Sequence, residues 1–248
     1  MHCLRCFLIF LSRISFIVPA FLIPFSWAGN YSVSPLSLQF TPQTKSAVIT
    51  ITNEDKKNLT LRTRPMRWTQ DANGEDIYKE TDDLVIFPRR LEMKPGDKKI
   101  IRAGINELPE EGEKAYRLYL QEIAPPQEPG QNLTRLSVLV DVGVPIFITK
   151  EEAKQNAAIT QVTAQSANSI TLRIANLGTS HIRINQITTR EDKIFVENPP
   201  IRYVFPGVTR TFSIPIPVSF CSEKKAALKF DTNQTPIYAD VVLPGSCH

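Results

Sequence analysis

Ala115-Tyr116-Arg117-Leu118-Tyr119-Leu120-Gln121-Glu122-Ile123, stopped by Ala124-Pro125-Pro126, is the stretch that decides the fold. Its side chains alternate in character, which is the period of a half-buried β-strand and not of a helix. The same period recurs on both sides of it. Upstream lie Ser32 to Phe40, Ala47-Val48-Ile49-Thr50-Ile51-Thr52, Leu59 to Trp68, Leu84 to Pro88, Leu91 to Met93 and Lys99 to Ile105. Downstream, Leu136-Ser137-Val138-Leu139-Val140-Asp141-Val142-Gly143-Val144-Pro145 places Leu136, Val138, Val140 and Val142 on one uniformly apolar face. Between these runs stand Thr41-Pro42-Gln43, Asn53-Glu54-Asp55 and Pro95-Gly96, where Pro presets a turn angle and Gly permits positive φ. Asp71 to Asp76 has the spaced acids of a calcium loop. Its Gly74 is misplaced for that pattern and no helix flanks it, so Asn73-Gly74 reads as a β-hairpin turn.

Thr149 to Asn156 is charge-dense and strand-poor, and more short strands follow it: Ile170 to Ala175, His181 to Thr188, Lys193 to Val196, Thr209 to Ile214, Ala226 to Phe230 and Ile237 to Leu243. Strands at short intervals with turns between them imply an all-β chain of sandwiches, not βαβ units. The 248 residues suit two such domains of about 100 to 120 residues each. We expect them at 29–150 and 151–248. Hydrophobic residues at 42% and charged residues at 22% mark a soluble globular composition, and 19 scattered prolines argue against long helices.

The first stretch, MHCLRCFLIFLSRISFIVPAFLIPFSWAGN, carries Arg5 and Arg13 and no acid, then an apolar run from Ile14 to Phe25, then small residues at Ser26 and Ala28. This is the pattern of an export signal over 1–28. A membrane anchor is the competing reading, which Pro19 and Pro24 disfavour by interrupting the run. Without residues 1–28 the chain holds 27 basic against 25 acidic residues, too even for a nucleic-acid surface. Cys3 and Cys6 leave with the signal. Cys221 and Cys247 remain, and an even pair in an oxidising compartment reads as one disulfide, with two buried thiols as the alternative.

Enzymatic chemistry is poorly supplied. Of three histidines, His2 is in the signal and His248 is terminal, so His181 is the single interior imidazole and no His-rich metal site is expected. No nucleophile elbow or glycine-rich phosphate loop occurs, so His181 reads as a half-buried structural residue. The acid pairs Asp82-Asp83, Glu110-Glu111 and Glu151-Glu152 would point to opposite faces in strands or stand solvated in loops. Neither a catalytic role nor a cofactor is assigned.

Over essentially its whole length after the signal the chain resembles the periplasmic pilus chaperones, the PapD-like proteins. The resemblance is carried by Ser46 to Asn53 (SAVITITN), Met93 to Arg102 (MKPGDKKIIR), Tyr116 to Pro126 (YRLYLQEIAPP), the alternation from Leu136, and RIAN ending at Asn176. Arg67 to Gln70, Leu84 to Pro88 and Gly143 to Phe147 look most like the archaic branch. The resemblance implies two immunoglobulin-like β-sandwich domains joined by a short linker in an L, with a cleft between them. It also implies a non-enzymatic periplasmic protein. Such a chaperone lends Leu136, Val138, Val140 and Val142 as a donor strand to pilus subunits and hands them to an outer-membrane usher.

Two departures accompany the resemblance. Family members use an Arg in the first strand and a Lys late in the last strand of domain one to hold the subunit's C-terminal carboxylate; here Ser37 and Pro145 stand there. Some other cation should serve, and Arg89, Arg90 and Arg102 are the candidates on sequence. The connection between the last two strands of domain one is short and lacks an extra cysteine pair, which disfavours a thin capsule-type fibre as client. The competing readings are an exported two-domain adhesin or structural binding protein, and an exported enzyme with an unrecognised site.

Overall fold

Period-two alternation becomes burial in the computed structural model, which describes residues 31–124, 139–150, 152, 154, 156–166, 168–199 and 203–245. The first sandwich is built from β1 (Tyr31–Ser34), β2 (Leu38–Phe40), β3 (Ser46–Asn53), β4 (Leu59–Gln70), β5 (Asp76–Glu80), β6 (Leu84–Phe87), β7 (Arg90–Met93), β8 (Lys98–Ile105), β9 (Glu113–Glu122) and β10 (Asp141–Thr149). One sheet has the order β1-β3-β8-β6. The other runs β2-β10-β9-β4-β5, with β7 added beside β4. Inward residues of both sheets, among them Phe40, Ile49, Ile51, Leu61, Leu118 and Ile146, form one core. The chain passes from one sheet to the other between β1 and β2, and β2 pairs parallel with the end of β10.

The second sandwich comprises β11 (Ala157–Ser166), β12 (Ser169–Asn176), β13 (Ile182–Thr189), β14 (Ile194–Val196), β15 (Tyr203–Val204), β16 (Thr209–Pro215), β17 (Lys225–Thr232) and β18 (Ile237–Val242). Its sheets run β11-β12-β16 and β14-β13-β17-β18, with β15 beside β13. They enclose a separate core that includes Ile170, Leu172, Ile184, Phe212 and Phe230. Two buried asparagines close equivalent strand ends. Asn53 donates Nδ2 to the carbonyls of Lys57, Met93 and Lys94, and Asn176 donates to those of Ser180 and Val204, so each satisfies backbone groups that a turn leaves unpaired.

The expected turns form. Asp71 accepts the N–H groups of Asn73 and Glu75 on Oδ1, and Gly74 takes φ +82°, which closes the β4–β5 hairpin. Lys94 to Asp97 turns through Gly96 at φ +78°. The last strand of domain one departs from expectation. Alternation predicts it over Leu136 to Pro145, but β10 runs from Asp141 to Thr149, and Leu136 and Val138 lie outside the described residues, as do Cys247 and the signal segment 1–28. The ladder opens at Asp141 opposite Gln121, because the N–H of Val140 donates to the Glu122 side chain and not to a strand. His181 also differs: it stands just before β13 and is buried.

Candidate functional site

Among the described residues β10 keeps part of one edge unpaired. On one side it pairs with β9 along its full length, from Asp141 opposite Gln121 to Thr149 opposite Glu113. On the other side β2 covers only Ile146 to Ile148, so Asp141 to Pro145 pair with no described strand there. Val144, Ile146 and Ile148 face the core, and Val142 is half-buried at its rim. The apolar face of Val140 and Val142 is therefore the core face of the sandwich carried on toward its open end. Tyr31 pins this segment by donating its hydroxyl to the carbonyls of Leu120 and Val140, at 3.1 and 3.2 Å. Burial, with help from the Glu122 charge, pushes the Tyr31 hydroxyl up to about 12, so it remains a donor.

On the opposite face of the same sheet the cross-strand partners form rows. Phe147, Ala115, Trp68 and Tyr78 make one row; Pro145, Arg117 and Met66 make the next; Gly143, Tyr119 and Arg64 a third. Arg117 lies over two rings, 4.1 Å from the Trp68 centroid and 5.5 Å from that of Tyr78. A guanidinium is attracted to such π-faces by their quadrupoles. Gly143 makes room for it, since a Cβ there would sit 2.7 Å from Arg117 Cδ and 3.3 Å from Tyr119 Cε1. Arg117 Nε is buried without an acceptor. Arg117 is thus the direct neighbour of Pro145, the position where the sequence lacks the lysine that the resemblance implies.

The arginines proposed on sequence stand elsewhere. Arg90 is opposite Arg62, six residues along β4 from Trp68, a span of about 20 Å. Arg90 pairs with Glu92 at 3.0 Å and Arg89 with Asp82 at 3.7 Å, all well exposed. Arg102 is opposite Val48 and Phe87 on the outer face of the other sheet. The fold does not bring these three together, nor toward Pro145. Ser37 is exposed and Pro145 buried.

The two sandwiches meet through the Trp68 row. Trp68 packs against Tyr203 at 5.0 Å and Phe205 at 4.7 Å, edge on. Gln70 accepts the Phe205 N–H and donates to the Tyr203 carbonyl, while Arg210 reaches Asp76 at 3.5 Å and the Tyr203 carbonyl at 3.0 Å. At the other end of the row His181 stacks on Phe147, centroids 3.6 Å apart. Its Nδ1 lies 2.9 Å from Glu113 Oε1, and its backbone N–H donates to the same oxygen at 3.0 Å. Asn233 Nδ2 stands 3.4 Å from Nε2, so the neutral ring donates at Nδ1 and accepts at Nε2. Sequence reasoning marks His181 as structural but has no signal for its partner, 68 positions away.

No group of three or more metal-capable side chains occurs among the described residues. The described residues form two sandwiches with a joined interface and a strand, β10, that is paired along its full length on one side only. Residues 31–153 match the family described as "Pili and flagellar-assembly chaperone, PapD N-terminal domain". The first sandwich is a domain of this family. It is a family of assembly chaperones, not of enzymes.

Solved structures share the fold across both domains. The Acinetobacter baumannii complex of the CsuC chaperone with the CsuE tip subunit, from archaic chaperone-usher Csu pili, is 16% identical with a TM-score of 0.61, over 86% of this chain and 98% of that one. The Salmonella enterica complex of SafA pilin with the SafB chaperone is 12% identical at 0.57, over 88% and 98%. The E. coli chaperone DraB is 13% identical at 0.52, over 86% and 97%. No curated protein matches the sequence.

Proposed function

We propose that the chain is a periplasmic chaperone that holds pilus subunits by lending them a strand and delivers them to an outer-membrane usher. Its parts on this reading are an export signal over 1–28, a strand-lending domain over 29–150 and a second domain over 151–248. The observation that carries the reading is that, among the described residues, Asp141 to Pro145 of β10 have no strand partner on the side away from β9. A subunit that lacks one strand of its own sandwich exposes backbone donors and acceptors and a groove, both hazards for aggregation. An open edge supplies ladder hydrogen bonds, and alternate apolar side chains, Leu136, Val138, Val140 and Val142, fill the groove. The archaic branch is the subtype favoured by the likeness to the Csu chaperone complex.

Arg117 takes the carboxylate in place of Arg89, Arg90 or Arg102 on this reading. It adjoins Pro145, it is held by Trp68 and Tyr78, and a guanidinium fork suits bidentate carboxylate binding. The test is co-expression with a pilin subunit from the same genome, followed by co-purification. Val140→Asp should lose the subunit while circular dichroism stays that of wild type, because Val140 lies outside the ladder and its groove contact is worth about 1.5 to 3 kcal/mol. A variant that unfolds would make this face part of the core, and one that still captures subunit would remove the strand-lending role.

A further inference from the structure

Arg183 repeats the situation of Arg117 on the second domain. Among the described residues these are the two arginines with a buried Nε that meets no acceptor, and neither guanidinium has a carboxylate partner there. Arg183 is the cross-strand partner of Tyr203, so their side chains share one face of the sheet. Tyr203 packs on Trp68 at 5.0 Å and on Phe147 at 5.7 Å, so this face is the one turned to the first sandwich. The backbone of Arg183 is fixed by Asn233, whose Oδ1 accepts its N–H at 2.8 Å and whose N–H donates to its carbonyl at 3.0 Å.

The two arginines are placed alike. Arg117 is the next residue on its face after Ala115, and Arg183 the next after His181; Ala115 and His181 both belong to the joint between the domains. Each Cα is therefore about 7 Å along a strand from the joint, one on each domain. Neither cation has a carboxylate partner among the described residues, so each leaves positive potential beside the joint. An anion is the missing partner, and a carboxylate matches the fork of both.

We propose that Arg183 is a second anion contact, which grips a carboxylate of the bound subunit from the side of domain two. The proposal rests on the subunit-binding reading above and extends it to a domain that lends no strand. Its test uses the same co-expressed subunit and compares wild type, Arg183→Ala, Arg183→Lys and Val140→Asp. Arg183→Ala should weaken capture about tenfold, as loss of a charge-assisted hydrogen bond does. Its thermal unfolding should match wild type, Arg183→Lys should recover part of the capture, and the salt sensitivity of capture should fall. Subunits with an extended C-terminus, or with single Asp or Glu side chains changed to amides, identify the source: the carboxylate involved is the one whose change removes the Arg183→Ala penalty. If Arg183→Ala captures like wild type while Val140→Asp does not, the second contact is refuted and strand lending stands. If wild type captures no subunit, or Val140→Asp captures it fully, the reading beneath both has failed.

Discussion

His181→Ala should loosen the two domains from each other without dissolving either core. The substitution removes an imidazole that stacks on Phe147 at 3.6 Å and donates to Glu113, whose side chain is only 1% exposed. Glu113 then keeps one donor from this partner, the residue's own backbone N–H. A hydrogen bond to a charged group contributes about 1.5 to 3 kcal/mol, and a stacked ring pair about 0.5 to 1.5 kcal/mol. Water entering the opened joint offsets part of the sum, which leaves a loss of about 2 to 3 kcal/mol. The assay is urea unfolding followed by two probes. Trp68, the one tryptophan beyond residue 28, reports the joint, and far-UV circular dichroism reports both sandwiches. In the variant the Trp68 transition should precede the dichroism transition, because the two cores share no residue and each can persist alone. His181→Gln, which keeps a donor and loses the ring, should fall between. Coincident transitions with a midpoint equal to wild type would refute the claim that this contact couples the domains.

Asp83 offers a pH test. The Tyr116 hydroxyl donates to it at 2.7 Å and, against a smaller opposing effect of burial, holds its carboxyl below the usual range, with Thr81 and Arg67 adding to the effect. A depressed folded-state value means stability that is present at neutral pH and lost as pH falls through the carboxylate range. Asp83→Asn should therefore be less stable than wild type at neutral pH and equal to it in strong acid, below the carboxylate range, as measured by thermal melts across that span. Gly143→Val should force Arg117 off Trp68, shift Trp68 emission and destabilise by about 1 to 3 kcal/mol; unchanged emission would mean that the close approach is relieved elsewhere. Cys221 and Cys247 should form one disulfide, so thiol titration of denatured exported protein should find none, and two reactive thiols per chain would overturn the pairing.

Alternation alone locates Ala47 to Thr52 and Ala115 to Ile123 as strands, formed in the fold as Ser46–Asn53 and Glu113–Glu122, and the Asn73-Gly74 and Pro95-Gly96 turns follow from residues that tolerate positive φ. These are local properties. A period of two states which side chains share a face of one strand, and turn chemistry states where the chain reverses. Neither says which strands become neighbours. The start of β10 at Asp141, five residues after the expected Leu136, depends on where Gln121 and Glu122 stop offering ladder partners.

The cation beside Pro145 shows the same division. On sequence Arg89, Arg90 and Arg102 are as eligible as any arginine after a turn or in a strand. Arg117 is hidden because it lies 28 positions before Pro145, and only the antiparallel register of β9 and β10 makes them adjacent. Gly143 carries a faint signal, as a glycine inside a strand often marks a close approach of another group. Composition, alternation and turns determined two all-β domains and an apolar strand that could be lent. Tertiary structure alone decided which edge has no described strand partner, which arginines lack a carboxylate partner among the described residues and how His181 and Glu113 meet across the joint. Each of these is a relation between residues distant in the chain, set by strand pairing and domain packing, and no local period encodes it.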